Sequence, residues 1–346
     1  MTRVERITSR IRPCFVASMT RHRVTLHAAL NALGVLAASL LTACAWSPHR
    51  NVTGLLDREM CAPPRTFRPA PHPHFAPLSA ETRARLTERF SPPALDIAEI
   101  IGAGETLDRV ARLEQSNDAS ALLAERARLA TAINLAALAA RSVVAELDCD
   151  HERMLIGVQS LRNAEESNTR IYTVASILVT AVTGIATSAL TPVPGAIRIE
   201  AVLGIAGGAA GGALGVAALF AHPTLSFRHS RNLLRELWEG PAHSALWPDV
   251  VWAYLSDRRF ALGQQHSLRE NLVRGWRVLG RLGGDRAPTP RLVALFFGDG
   301  GRFDADELDA LVAMSSELRA AVDLMEQDLL QLANETLAQG AEGIPP

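Results

Sequence analysis

Two long stretches without a formal charge constrain this chain more than anything else in it. Ile171 to Ile197 holds no acidic or basic side chain, and Ala201 to Phe227 carries only His222; Arg198 and Glu200 stand between the two. Each stretch can supply about 20 helical residues, roughly 30 Å, which is the thickness of a bilayer core. Pro192, Pro194 and Gly195 interrupt the chain between them, because proline cannot continue a helix. The expectation is an apolar helical hairpin over 171–222 with a charged tip.

The second arm is glycine-rich in a particular rhythm. Gly204, Gly208 and Gly212 form one series at every fourth residue, and Gly207, Gly211 and Gly215 form another. Such spacing flattens one face of a helix and lets a second backbone approach closely. In water each glycine costs a helix about 1 kcal/mol relative to alanine, so lipid or a tightly packed neighbour must compensate. The pattern resembles the glycine zippers of membrane-inserting and oligomerising helices. The first arm carries Thr173, Ser176, Thr180, Thr183, Thr187 and Ser188, hydroxyls that would be wet for lipid unless they bond across helices or line a lumen. Three placements stay open. The hairpin could cross a membrane, with Arg162, Arg170, Arg228, Arg231 and Arg235 flanking it against the positive-inside tendency. It could assemble as an oligomeric α-helical pore, or it could be buried in a bundle core.

The amino terminus reads as an address. Arginines from Arg3 to Arg23 precede an apolar run from Leu26 to Leu41, and small residues follow. That order is the pattern of a secretory signal, and about 16 apolar residues are short for a membrane span. An ordinary buried helix is the alternative. Leu41-Thr42-Ala43-Cys44 resembles the lipobox of bacterial lipoproteins. The resemblance implies cleavage before Cys44 and acylation of its sulfur, so the expected partner is membrane lipid. Ala45, rather than aspartate, implies outer-membrane anchoring by the same resemblance. Either Met1 or Met19 suits as the start of such a signal.

Removing the signal and the lipidated position leaves Cys61 and Cys149, in a compartment where a disulfide persists. Their pairing would close a loop of about 88 residues, worth roughly 4–5 kcal/mol in the chain-entropy description. A free structural cysteine and a catalytic thiol remain alternatives. His151 is close in sequence, but residues two apart on a helix do not face each other. The flanking Asp148 and Asp150 would raise a thiol pKa, which disfavours catalysis.

Residues 45–78 contain six prolines from Pro63 to Pro77 and read as an extended linker. His72 and His74 lie within it, too few ligands for a metal site. Helical patterning begins at Ser79, with short helices expected at 79–90 and 94–101. A long helix is expected from Ser120 to about Asn168. Its seam runs through Leu129, Ile133, Ala136, Ala140, Val143, Leu147, Met154 and Leu161 in alternating steps of four and three. Asp150 and Gly157 interrupt that seam, so looser packing is expected there. Four short helices are expected at 227–239, 248–257, 265–282 and 289–297. The same region holds Trp238, Trp247, Trp252 and Trp276, either as core or as an interface belt. No convincing strand alternation is visible. The C-terminal helix has the cleaner seam: Leu308, Leu311, Ser315, Leu318, Val322, Met325, Leu329, Leu332 and Thr336. Asp304 and Glu307 form a capping-box pattern at its start, and Phe303 and Leu308 a staple. The two seams are natural partners.

The stretch Ala145 to Cys149 with Glu152-Arg153, followed by Thr173 to Ile177, is similar to an uncharacterised family of helical bacterial envelope proteins with a glycine-zipper hairpin. The resemblance implies a shared fold and transfers no activity. All 35 basic residues are arginine, which excludes every lysine-based chemistry, and 36 acids leave a net charge of -1. A nucleic-acid partner is therefore not expected. No nucleophile elbow, HExxH, Walker A or paired CxxC motif is present, so neither an enzyme nor a cofactor or metal is expected.

The domain organisation read from sequence is a signal at 1–43 and a lipidated Cys44 with linker at 44–78. A helical region with the long helix spans 79–170, the hairpin 171–222, tryptophan-bearing short helices 223–303, and the terminal long helix 304–340. The expected fold is all-α, an elongated bundle with heptad-patterned helices. The expected function is a lipid-anchored structural or assembly role in the envelope, facing the periplasm. Its hairpin would meet a membrane or helices of the same or another protein, with homo-oligomers possible. The alternative is an α-helical pore-former using 171–222.

Overall fold

The computed structural model describes Cys61 and residues 77–116, 118–190, 197–220, 222–229, 231–284 and 287–342. The signal, Cys44, the histidines of the linker and the proline break at 192–195 lie outside the described residues. The fold is all-α, with ten α-helices and two short strands among the described residues. These residues divide into two compact units, Glu165–Ala221 and the remainder.

In the larger unit the chain opens with three short helices. Helix α1 (Ala80–Thr87) is capped by Ser79, whose hydroxyl accepts the Thr82 N–H, and α2 (Pro92–Ile100) by Ser91 with Pro92 in its first turn. Both follow the usual N-terminal chemistry. Helix α3 (Gly104–Leu113) was not expected from sequence. It starts on glycine, and Ala103 gives no side-chain cap; burial of Leu107, Val110 and Ala111 holds it instead.

Asp118 accepts the Ala121 N–H at 2.9 Å at the start of the long helix α4 (Ala119–Leu190). This helix does not stop near Asn168; it continues unbroken to Leu190, and its part from Glu165 onward belongs to the smaller unit. The change from amphipathic to apolar sequence alters which residues are buried, while no proline or glycine cap ends the backbone. Nor does the seam loosen at Asp150 and Gly157. Arg153, 7% exposed, pairs with Asp150 at 2.7 Å, and Met154, Gly157, Val158 and Leu161 remain buried.

The chain then forms strand β1 (Leu225–Arg228), helix α6 (Leu233–Glu239) and helix α7 (Asp249–Ser256); α5 (Ile197–Phe220) precedes them in the smaller unit. Helices α8 (Leu268–Val278) and α9 (Pro290–Phe297) lead to strand β2 (Gly300–Phe303). The helix expected at 227–239 thus begins only at Leu233, with Phe227 and Arg228 in strand β1, and the block 223–303 is not purely helical. Strands β1 and β2 pair antiparallel, Leu225 opposite Phe303 and Arg228 opposite Gly300. Leu225, Phe227 and Phe303 are buried. A four-residue alternation is too short to be read as a period. Gly300 has φ +93°, and a Cβ there would lie 2.3 Å from the Phe227 carbonyl oxygen, so the pairing requires glycine.

Tryptophans 247, 252 and 276 are core residues, 2%, 5% and 0% exposed. Trp238 stacks on Phe297 with centroids 4.6 Å apart. Helix α8 begins with a full capping box: Ser267 accepts the Glu270 N–H and Glu270 accepts the Ser267 N–H. Replacing Ser267 by alanine is expected to cost about 1 kcal/mol, measurable as a lowered thermal midpoint.

The terminal helix α10 (Ala305–Glu342) follows its sequence pattern closely. The Asp304–Glu307 box is formed, with bonds of 2.8 and 3.1 Å. Leu308, Leu311, Leu318, Val322, Met325, Leu329 and Leu332 are all buried. Arg141 bonds Glu326, Asp148 pairs with Arg319, His151 meets Ser316 and Arg162 bonds Asp309. The numbers rise on α4 as they fall on α10, so the two seams lie antiparallel. Helix α10 also packs along α2, and Ser91 donates both its N–H and its hydroxyl to Glu335.

Candidate functional site: an apolar hairpin and its polar surroundings

The smaller unit pairs the last part of α4, from Glu165, with α5. Thr183 lies against Gly207, and Thr180 with the Ser176 carbonyl against Gly211. The numbers again run oppositely, so the arms form an antiparallel hairpin. A Cβ on Gly207 would sit 2.2 Å from Thr183 Cγ2, and one on Gly211 3.1 Å from Thr180 Oγ1. Glycine is what permits this approach. The six zipper glycines are not equivalent. A Cβ on Gly204, Gly208, Gly212 or Gly215 would meet nothing within 4 Å. The 207–211 pair therefore packs the hairpin, and the 204–208–212 series faces away from it.

The hydroxyls of the first arm are satisfied within their own helix. Thr173 donates to the Thr169 carbonyl at 2.7 Å, and Ser176, Thr180 and Thr183 donate to carbonyls three or four residues earlier at 2.8 Å. This back-bonding removes most of the cost of placing a hydroxyl in hydrocarbon. Thr187 and Ser188 have side chains outside the described set. Large apolar side chains point outward: Ile177 is 61% exposed, Ile185 70% and Ile205 74%. Among the described residues one helix, α4 over Ala119–Ile185, is long and apolar enough to cross a membrane, and Gly204–Val216 forms a shorter apolar helix. Only 28% of the most apolar window is buried, unlike the core helix of a bundle.

In the larger unit Cys61 and Cys149 lie at bonding distance, 2.07 Å between sulfurs and 5.5 Å between Cα atoms. This ties the chain before the linker's end to the middle of α4. It also uses both thiols, so the arrangement is structural rather than nucleophilic. His151 bonds Ser316 instead, Nδ1 to Oγ at 3.2 Å, beside a cavity of about 140 Å³ lined by Leu147, Arg319 and Asp323. The Ser316 hydroxyl also reaches the Val312 carbonyl at 3.0 Å. No backbone N–H of a mid-helix turn is left to stabilise an oxyanion there, so the pair does not assemble an acyl-transfer site.

Two charged clusters were invisible in the sequence. Asp96 and Glu99 on α2, both 7% exposed, share Arg83 and Arg259. Tyr254 donates to Asp328 at 2.7 Å; burial first, then the charge of Asp96, raises the Asp328 pKa against that bond. The second cluster lies on α4. Arg231 grips Glu146 in a bidentate pair at 2.9 and 2.5 Å. Burial holds the Glu146 and Asp150 carboxyls above their ordinary values despite their arginine partners. Both clusters join elements far apart in sequence, which is a structural role. Among the described residues no group of three or more His, Cys, Asp or Glu side chains could hold a metal ion.

No protein-family model, curated protein or solved structure matches this chain.

Proposed function

We propose that this protein is a lipid-anchored component of the bacterial envelope with a structural or assembly role, non-enzymatic, whose hairpin beds in a bilayer. The anchor is acylated Cys44, on the periplasmic face of the outer membrane. The observation that supports the hairpin's part is the sorting of its surface. Ile171, Val174, Ile177, Ile185, Ile205 and Val216 are exposed, while the hydroxyls of Thr173, Ser176, Thr180 and Thr183 are bonded within their own helix and Thr180 and Thr183 lie against glycine. An aqueous protein rarely exposes a continuous apolar surface of this kind, whereas lipid rewards it.

The test separates the hairpin from the anchor. Full-length protein carrying Cys44→Ser is mixed with dye-loaded vesicles, and flotation and dye release are followed together. Flotation that persists without the lipid, and disappears when Ile177 and Ile205 are both changed to Asp, is the expected result. Protein that stays in the dense fraction overturns the bilayer reading. Release of dye alongside flotation identifies the pore-forming alternative; intact vesicles identify the scaffold.

A further inference from the structure

The residue that follows β1 is a histidine, at a place where a third positive charge would be costly. Phe227 stands edge-on to the His229 ring, 5.2 Å between centroids. The guanidinium of Arg153 on α4 covers the same Phe227 ring at 5.2 Å. Arg235 is fixed by the Phe297 carbonyl at 2.9 Å and by Asp299 at 2.5 Å. His229 Nε2 is closed off from water and has no hydrogen-bond partner among the described residues, although the residue as a whole is only partly buried. The charges that act on this ring are Arg153 from α4, Arg235 from α6 and Asp299 from the approach to β2. Asp150 holds Arg153, and the Glu146–Arg231 pair is the next contact between α4 and the same segment.

We propose that His229 is an acid-sensitive latch. While neutral it lets residues 225–239 close onto α4 through Phe227 and Arg231, and once protonated it releases them. Residues 225–239 begin five positions after Phe220, the end of the hairpin's second arm, so the latch controls the slack available to that arm. This consequence rests on the bilayer reading above; the latch itself does not.

The direction follows from linkage. Burial, then Arg153 and Arg235, push the His229 pKa down from 6.5 to about 4, with Asp299 opposing. In an open segment the ring regains its ordinary value near 6.5. The closed form thus binds fewer protons. Its advantage is complete above pH 6.5 and falls away as the pH drops from 6.5 toward 4. Between pH 7 and pH 5 the ratio of open to closed rises roughly twenty-fold. Glu146 and Asp150 act in the opposite sense, because burial raises both and protons then favour the closed form. A variant without the histidine isolates its share.

Hydrogen exchange of the full-length protein, corrected for intrinsic rates, would follow peptides within 225–239 at pH 7 and pH 5. Opening in the wild type is expected to exceed that in His229→Gln by roughly thirty-fold at pH 5 and by less than about twofold at pH 7. The same pH response in both proteins overturns the latch. Should His229→Gln fail to fold at pH 7, His229→Phe packs a ring of similar size against Phe227 without a titratable group. Flotation onto vesicles containing an anionic phospholipid is measured in parallel. Histidine-dependent opening with flotation unchanged between the two pH values overturns the link to the hairpin. No flotation at either pH overturns the bilayer reading and leaves the latch intact.

Discussion

Breaking the link between Cys61 and Cys149 is expected to lower the stability of the larger unit by about 4 kcal/mol, among the largest single effects in this chain. The two residues are 88 apart in sequence. Cross-linking a loop of that length removes denatured-state entropy worth roughly 4–5 kcal/mol, an upper figure because the unfolded chain retains some structure. Cys149 lies between the buried Glu146 and the Asp150–Arg153 pair, so the constraint acts on the turns of α4 that carry the charged cluster. Urea unfolding followed by the fluorescence of Trp247, Trp252 and Trp276 would compare the oxidised protein, the reduced protein and Cys149→Ser. The reduced protein and the variant should coincide, both well below the oxidised form. A difference under about 1 kcal/mol between oxidised and reduced protein would show that the bond contributes nothing in solution.

The second large effect distinguishes two glycines one residue apart. Gly207→Leu should disrupt the hairpin and Gly208→Leu should not. At position 207 the first added carbon already overlaps Thr183, 2.2 Å from its Cγ2, while position 208 opens on nothing within 4 Å. Overpacking of a close helix contact costs about 1–3 kcal/mol, and a leucine has three further carbons to place. Leucine at 208 instead gains helix propensity, up to about 1 kcal/mol over glycine. Hydrogen exchange across 171–216 in detergent micelles reads the contrast directly. Gly207→Leu should accelerate exchange by roughly 10- to 100-fold, the equivalent of that cost, and Gly208→Leu should leave it unchanged or slower. Adding Thr183→Ala to Gly207→Ala should restore part of the protection, since the clash is with that side chain. Equal behaviour of the two leucine variants would refute the packing described for the hairpin.

The elements most legible in the sequence are those whose cause is local. The capping box at Asp304, the three-four seam of α10 and the charge-free arms each depend on residues within a turn or two. All reappear in the structure, and so does the pairing of the two long seams, whose antiparallel sense the structure supplies. Helix α3 was illegible because its start carries no cap, and tertiary burial supplies what local chemistry lacks. Strands β1 and β2 were illegible because each is four residues long and stabilised by a partner 75 positions away. The end of α4 was misplaced because a change of hydrophobicity was read as a change of backbone. Asp150 was read as a defect in the seam because its partner's burial could not be known.

By itself the sequence determined the class of the fold, the two long helices, the cap at Asp304 and the apolar hairpin. These follow from periodicity and from the obligatory hydrogen bonding of the backbone. Only the tertiary structure decided which glycine series packs. Both are equal as spacing, and the rotation of one arm against the other chooses 207–211 over 204–208–212. Likewise only the tertiary structure placed His229 beside Arg153, 76 residues earlier in the chain, and Arg235. Desolvation and charge proximity are properties of position in space, and a linear order of residues contains them only after the chain has folded.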